Sequence, residues 1–574
     1  MALTHSMRAF PSSLSFATRR RPRSLKARSL SHHAGSGEKS REGDGTKKSA
    51  FTVLVLSNGH GEDTIAASIV SALLVELRSQ EKETHDGLVG DRLTSSWSNS
   101  REGVFVREVQ ALPIVGEGAP LRKLGLSIVC PTRVMPSGGF ISGRPASALR
   151  DIRHGLAGLT LGQVRSLRLW VEDAYDSGAT PCLLAVGDVV PLAFAALACR
   201  FYRKRGRKKP KDRDKDKDNV EKIQLRRKEP VIVFVGCAKS QYYLDKGVHE
   251  REDEGVDYEK RQDRKRVKCV YYPWERWLLS HECCKLVAPR DQLTAQVLAK
   301  YLRGGQEGKV SYLGNPMMDN IEEQRTGLLQ NAAASISCGC CDKWVTLLPG
   351  TRKGEVLRNL QLILRVCATL VAMVNEGEQE TQAATTPSSS FSSPSMGFLL
   401  SIPPGCTKEE LDAVVTNNGW EKVKATSHSL SLLGLEEYTR NDRHQLQETR
   451  HCCFDGVLMV SSQDAFPDLI TDCDVAIAMA GTATEQCVGF GKPAVTLVGH
   501  GPQFNKQFAL AQEKLLGSDS VKVARTVGEA AKWVQMLLGD QEALQRAKEN
   551  GVERMGHPGA SKRLAKAMLQ AMKS

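Results

Sequence analysis

Two stretches of this sequence set short hydroxyl or cationic side chains at the end of an apolar run. One is Val475-Ala-Ile-Ala-Met followed by Ala480-Gly-Thr-Ala-Thr-Glu485, and the other is Trp344-Val-Thr-Leu-Leu-Pro-Gly350-Thr-Arg352-Lys-Gly-Glu355. A strand that runs through a glycine turn into a helix presents the unpaired amides of that helix's first turn, and such an end binds anions. Gly481, Thr482, Thr484 and Arg352 are therefore the expected ligands of a phosphate group. Glu485 on the first turn, and Gln503 or Asn505 on the following loop, are expected to bind ribose or sugar hydroxyls. A second pair of stretches carries acid–base groups. Cys182-Leu-Leu-Ala-Val-Gly187 ends at Asp188, and Phe51-Thr-Val-Leu-Val-Leu56 ends at Ser57-Asn-Gly-His60-Gly61-Glu62-Asp63. A carboxylate at the mouth of a strand is placed where a general base works, so Asp188 is the expected proton acceptor, with His60 as the runner-up. Each residue also has a plain structural reading as a helix cap or a first-turn acid.

These runs demand an α/β frame. At 574 residues with 41% apolar content, the chain is too long for one core and has ample material for two. Residues 49–320 read as an N-terminal Rossmann-like domain. A linker follows at 321–343, and 344–574 read as a second Rossmann-like domain interrupted by a Ser/Thr/Pro-rich loop at 377–396 and a polar stretch at 421–455. Val310-Ser-Tyr-Leu-Gly314-Asn-Pro-Met-Met-Asp319 reads as the last strand and exit loop of the first domain. The aromatic block Tyr271-Tyr-Pro-Trp274-Glu-Arg-Trp277 reads as a packed domain edge.

The net charge of +14 is concentrated in two places. Residues 1–48 contribute +8 and residues 203–228 contribute +9, so the rest of the chain is close to neutral. That distribution argues against nucleic acid as the partner of the folded body; 203–228 reads as a solvated basic insertion. The first 37 residues hold seven Arg/Lys, many Ser and no acid, the composition of an organelle transit peptide, which predicts import into a plastid or alternatively a mitochondrion. No stretch was expected to span a bilayer. Ala119 to Arg150 carries five Arg/Lys and no acid among apolar residues, which suits docking on an anionic membrane surface.

Most of the 16 cysteines sit singly in apolar runs, among them Cys182, Cys199, Cys237, Cys367, Cys473 and Cys487. The exceptions are Cys338-Gly-Cys340-Cys341, His281-Glu-Cys283-Cys284 and His451-Cys452-Cys453. Only Cys338 and Cys341 have the two-residue gap of a zinc site and no second such pair exists, so no metal site and no cofactor are expected.

Leu347-Leu-Pro-Gly-Thr-Arg352-Lys-Gly-Glu355, Gly314-Asn-Pro-Met and Ala480-Gly-Thr-Ala-Thr-Glu485 together resemble the lipid-A-disaccharide synthase family, most closely its branch in photosynthetic lineages. The resemblance covers roughly residues 51 to 560 less the insertions. It implies a GT-B architecture, two Rossmann-like doubly wound domains facing across a cleft. It also implies inverting, metal-independent transfer of a sugar from a UDP-sugar donor on the C-terminal domain to a lipid or lipid-linked acceptor on the N-terminal one, with Asp188 matching the catalytic position. The family's Gly-Glu-x-Ser-Gly-Asp opening becomes Gly59-His-Gly61-Glu62-Asp63 here, so the acceptor side differs. Three other readings compete: a UDP-sugar 2-epimerase of the same fold, a nucleic-acid binder acting through 203–228, and a scaffold that binds nucleotide without turnover.

Overall fold

The computed structural model describes residues 50–82, 104–133, 152–206, 228–244, 268–302, 306–319, 321, 324–325, 342–351, 353–384, 396–403, 405–422, 436–440, 457–462, 465–499 and 504–574. The expected leader, the core of the basic insertion, most of the expected linker and the Cys338 and Cys452 clusters lie outside them.

Two sheets organise the chain. The first contains β1 (Ala50–Asn58), β2 (Phe105–Val115), β3 (Ser127–Ile128), β4 (Thr180–Gly187), β5 (Val231–Gly236) and β6 (Cys284–Pro289), in the order β3-β2-β1-β4-β5-β6. Every pairing is parallel. The second contains β7 (Lys343–Leu348), β8 (Met396–Ser401), β9 (Glu421–Lys422), β10 (Glu436–Arg440), β11 (Val457–Ser462), β12 (Val475–Ala478), β13 (Ala494–Leu497) and β14 (Val521–Ala524). Its order is β14-β13-β12-β7-β8-β11-β10-β9. Setting aside the antiparallel edge pair β9 and β10, both sheets have the 3-2-1-4-5-6 order of a Rossmann fold. The chain therefore has the two Rossmann-like domains that the strand runs called for.

Alternation along β1 and β4 explains why both are so apolar. Val53, Val55, Cys182, Leu184 and Val186 enter one core, while Leu54, Leu56, Leu183 and Ala185 enter another on the opposite face. A parallel sheet covered on both faces needs continuous apolar strands. Burying each such side chain contributes about 1.5 to 3 kcal/mol.

The domain boundary differs from the sequence expectation at the C-terminus. Helix Ala560–Lys573, placed with the second domain by sequence, packs Leu564, Ala565, Met568, Leu569 and Met572 into the same core as Val53 and Ile69 of the first. Asp319 anchors that crossing, because its carboxylate accepts from the amides of Gly559 (2.6 Å), Ala560 (3.0 Å) and Ser561 (2.6 Å). The Gly314-Asn-Pro-Met-Met-Asp319 motif thus does structural work at the junction of the two halves.

Five further expectations need correction. Val310 joins the first sheet only as an isolated bridge to Val287 and is not a full strand. Helix Lys353–Ala384 runs into the stretch expected as loop at 377–396, and the expected polar excursion at 421–455 contributes β9 and β10. By length and composition, Lys353–Val374 is apolar enough to cross a membrane, contrary to the expectation of no such stretch. Its apolar residues, including Val356, Leu360, Ile363, Cys367 and Leu370, fill the second core instead. In the aromatic block, Tyr271 is buried but Tyr272, Trp274 and Trp277 are 60%, 52% and 70% exposed.

Candidate functional site

Open α/β sheets bind ligands beyond the carboxyl ends of their strands where the strand order reverses. In the first sheet that point lies between β1 and β4, and the turns leaving these strands carry Glu62 and Asp188. Gly187, with φ of +125°, brings the two turns together: a Cβ there would meet Glu62 Cγ at 3.1 Å and Asn58 Cβ at 3.8 Å. Asp188 Oδ1 accepts from the Val190 amide at 2.8 Å, so it starts helix Val189–Gly206 as a cap while its carboxyl group faces the turn of β1. Burial raises the affinity of Asp188 for its proton, opposed by the Val190 amide and the Asn58 side chain and reinforced by the charge of Glu275. Burial likewise raises that of Glu62, opposed by its own backbone amide and reinforced by the charges of Asp188 and Asp63. Two carboxyl groups on facing turns, both of which burial makes harder to ionise, are placed for acid–base work.

Asp63 does not share that role. It is 2% exposed and accepts from Ser57 Oγ at 2.5 Å, which ties the first turn of helix His60–Lys82 to β1. Gly61 is exposed on the same turn. The side chain of His60 lies outside the described residues.

The reversal point of the second sheet lies between β7 and β12, where the two turns expected to bind an anion meet. Gly350, with φ of +103°, passes so close that a Cβ would sit 3.0 Å from Met479 O. Asn359 bridges the two turns, donating from Nδ2 to Pro349 O (3.0 Å) and Met479 O (3.5 Å). Gln512 holds the other side, with Nε2 donating to Ala480 O (3.0 Å) and Gly481 O (3.2 Å). Helix Thr482–Gly489 starts there, with Thr482 exposed at its first position. The space above Gly481 is open, since a Cβ would meet nothing closer than Phe508 Cζ at 3.9 Å.

Thr484, expected among the phosphate donors, turns the other way. It is fully buried and its Oγ1 donates to Ala480 O at 2.6 Å, a bond back along the chain that removes the hydroxyl from the cleft. Asn505 caps helix Lys506–Leu516 by accepting from the Phe508 amide at 3.0 Å. Arg352 and Gln503 lie outside the described residues.

Glu485 is the link between the sheets. Its Oε2 accepts from Arg290 Nη2 at 3.1 Å, and Arg290, just beyond β6, also donates from Nη1 to Cys237 O at 3.1 Å beyond β5. The ion pair is largely buried. Next to it, Lys239 donates to both oxygens of the buried Glu275 at 2.7 Å and lies 4.2 Å from the centre of the Tyr272 ring. Arg290, Lys239, Glu275, Asn359 and Gln512 are not among the site residues expected from the sequence. Only Arg290 carried a visible signal, a cation directly after the apolar Val287-Ala-Pro run.

A separate cavity of about 630 Å³, bounded by Tyr242, Gln296, Tyr312, Glu553 and Arg563 among others, lies where the last helices cross back. None of the expected site residues lines it.

No family model matches the chain, and no curated protein matches it. Similar solved structures include a UDP-N-acetylglucosamine 2-epimerase from Listeria monocytogenes described as putative (9% identity over 92% of this chain and 96% of that one, TM-score 0.40). A UDP-GlcNAc 2-epimerase from Neisseria meningitidis bound to UDP-GlcNAc is 11% identical over 91% of this chain and 100% of its own, with a TM-score of 0.40. An Anabaena protein in complex with UDP-glucose is 11% identical over 91% and 98%, with a TM-score of 0.35. Likenesses this distant carry no argument about chemistry.

Proposed function

We propose that this chain is an enzyme of GT-B architecture that transfers a sugar from a UDP-sugar to a lipid or lipid-linked acceptor. The observation that carries the reading is the Glu62–Asp188 carboxyl pair at the reversal point of the first sheet, opposite the Gly350 and Gly481 turns of the second. An acceptor hydroxyl attacking the anomeric carbon must lose its proton, and Asp188 accepts it. Glu62, whose proton is held harder by the neighbouring charge, hydrogen-bonds the acceptor and orients it. The leaving diphosphate gains charge as the glycosidic bond breaks. The amides opening helix Thr482–Gly489, the Thr482 hydroxyl and Arg352 meet that charge.

The lipid side of the proposal rests on exposed apolar groups on the helix that carries Glu275, whose charge acts on Asp188, and on the helix that Asp188 caps. Tyr272 at the cap of helix Pro273–Leu279 and Trp274 and Trp277 within it are exposed, and Val190 is exposed in the first turn of helix Val189–Gly206. Exposed aromatic groups beside a polar cleft suit an amphipathic acceptor. The basic segment 119–150 adds attraction to an anionic surface, and its described part keeps Arg122 and Lys123 exposed while Leu121 is buried. A plastid stroma or envelope surface is the proposed location, with the mitochondrion as the alternative.

A carboxyl pair can also move a proton on the donor sugar itself, which is the epimerase reading. Incubation with a panel of labelled UDP-sugars, with and without plastid lipid extract, separates the two. Sugar incorporation into lipid with release of UDP supports transfer. An epimerised UDP-sugar formed without lipid supports epimerisation, and UDP-sugar binding with neither product leaves a scaffold.

A further inference from the structure

At the opposite end of the first sheet from the carboxyl pair, three elements converge on a set of ligating side chains. Cys199 comes from helix Val189–Gly206, and His281 and Cys283 come from the turn entering β6. One ligand atom from each lies within 4.8 Å of the other two. Glu229, just before β5, closes the set, its Oε2 accepting from Cys283 Sγ at 3.6 Å. The Cys283 amide donates to His281 Nδ1 at 3.2 Å, which leaves the ring proton on Nε2, so a cation bound through Nδ1 takes the place of that hydrogen bond.

Packing accounts for part of this arrangement. Cys199 and Cys283 are both 1% exposed and belong to the core containing Leu183 and Phe234. It does not account for an imidazole and a carboxylate meeting two thiols at the rim of that core. Metal–ligand bonds of about 2.0 to 2.3 Å put the donor atoms of a tetrahedral ion roughly 3 to 4 Å apart, so ligand atoms within 4.8 Å of one another need only a small contraction to enclose one.

We propose that Cys199, His281, Cys283 and Glu229 bind one zinc-like divalent cation in a closed, four-ligand structural site. Two thiolates, one imidazole and one carboxylate are a borderline-soft donor set that suits zinc above magnesium or calcium. Binding releases the two thiol protons to solvent and leaves the pair of thiolates neutralised by the cation. No coordination position is left for a substrate, and the site lies at the amino ends of β5 and β6, away from Asp188. Its effect is to pin helix Val189–Gly206, which Asp188 caps, to the start of β6. The expectation of no metal site followed from searching for sequence-local ligand pairs, and Cys199 is far from His281 in sequence.

The test uses the reduced full-length chain titrated with Co²⁺, whose thiolate charge-transfer and tetrahedral d–d absorption report the ligand type, followed by displacement with Zn²⁺. The wild type is expected to bind one equivalent with both bands. A variant with Cys338, Cys340, Cys341, Cys452 and Cys453 all changed to Ser is expected to keep them, since none of these residues is among the four proposed ligands. Cys199→Ala with Cys283→Ala is expected to lose them, and Glu229→Gln at the exposed rim to weaken cobalt binding ~10-fold or more. Zinc is expected to raise the Tm of the wild type and not of the double alanine variant. Absence of the thiolate band in the wild type, or its loss in the five-serine variant, overturns the proposal.

Discussion

Arg290 and Glu485 meet at 3.1 Å between the carboxyl ends of two different sheets, so a residue expected to touch the donor sugar also braces the two sheets. The guanidinium is bonded at the same time to Cys237 O, which makes it a brace of three segments. Removing one partner of a largely buried, hydrogen-bonded charge pair leaves the other charge unpaired. Arg290→Ala is therefore expected to destabilise the protein by about 2 to 5 kcal/mol. A cycle with Glu485→Ala is expected to give a coupling of about 0.5 to 3 kcal/mol by denaturant unfolding. Additive single effects would mean that the two residues act independently.

How much of this was legible in the sequence depends on the range of the interaction. The strand runs, the glycine turns and Asp188 are local patterns, and the two Rossmann-like sheets formed where those patterns lay. Thr484 looked like Thr482 by composition, but one helical position separates a side chain facing the cleft from one facing the core. Arg290 and Asn359 depend on contacts across 195 residues, with Glu485, and 120 residues, with Met479, and the buried Gln512 reaches back 32 and 31 residues to Ala480 and Gly481. The return of helix Ala560–Lys573 to the first sheet was hidden for the same reason, since its amphipathic face fits either core.

The two threonines of the Gly481 turn are expected to separate stability from binding. Thr484→Val removes one of the two donors to Ala480 O, leaving that of Gln512, and is expected to cost about 0.5 to 1.5 kcal/mol with little change in UDP affinity per folded molecule. Thr482→Val, at an exposed position, is expected to change stability by less than about 0.5 kcal/mol and to weaken UDP binding. Thermal unfolding paired with UDP titration checks both.

The raised proton affinity of Asp188 sets a stability prediction with a definite sign. A carboxyl group that binds its proton harder folded than unfolded makes the folded state lose relative stability as pH rises through the window above 3.8, the ordinary value. Asp188→Asn keeps an oxygen for the Val190 amide and removes the buried charge. It is therefore expected to raise Tm at pH 7 and to show a smaller gain as pH falls towards 3.8. Scanning calorimetry at several pH values checks this, and an equal Tm difference at every pH would contradict it.

The exposed aromatic groups are expected to serve the acceptor alone. Trp274→Ser with Trp277→Ser should raise KM for a lipid acceptor ~10-fold or more through lost apolar contact, with the UDP-sugar KM unchanged. Steady-state kinetics with each substrate varied in turn reads the difference.

The division of labour across the cleft is tested most directly by calorimetric titration of UDP against Asp188→Asn, read beside its turnover of the UDP-sugar. If Asp188 takes the proton while the Gly481 turn holds the diphosphate, the variant binds UDP as the wild type does and its kcat falls by about 10² to 10⁴. Full turnover by Asp188→Asn, or loss of UDP binding in step with loss of activity, would contradict the account.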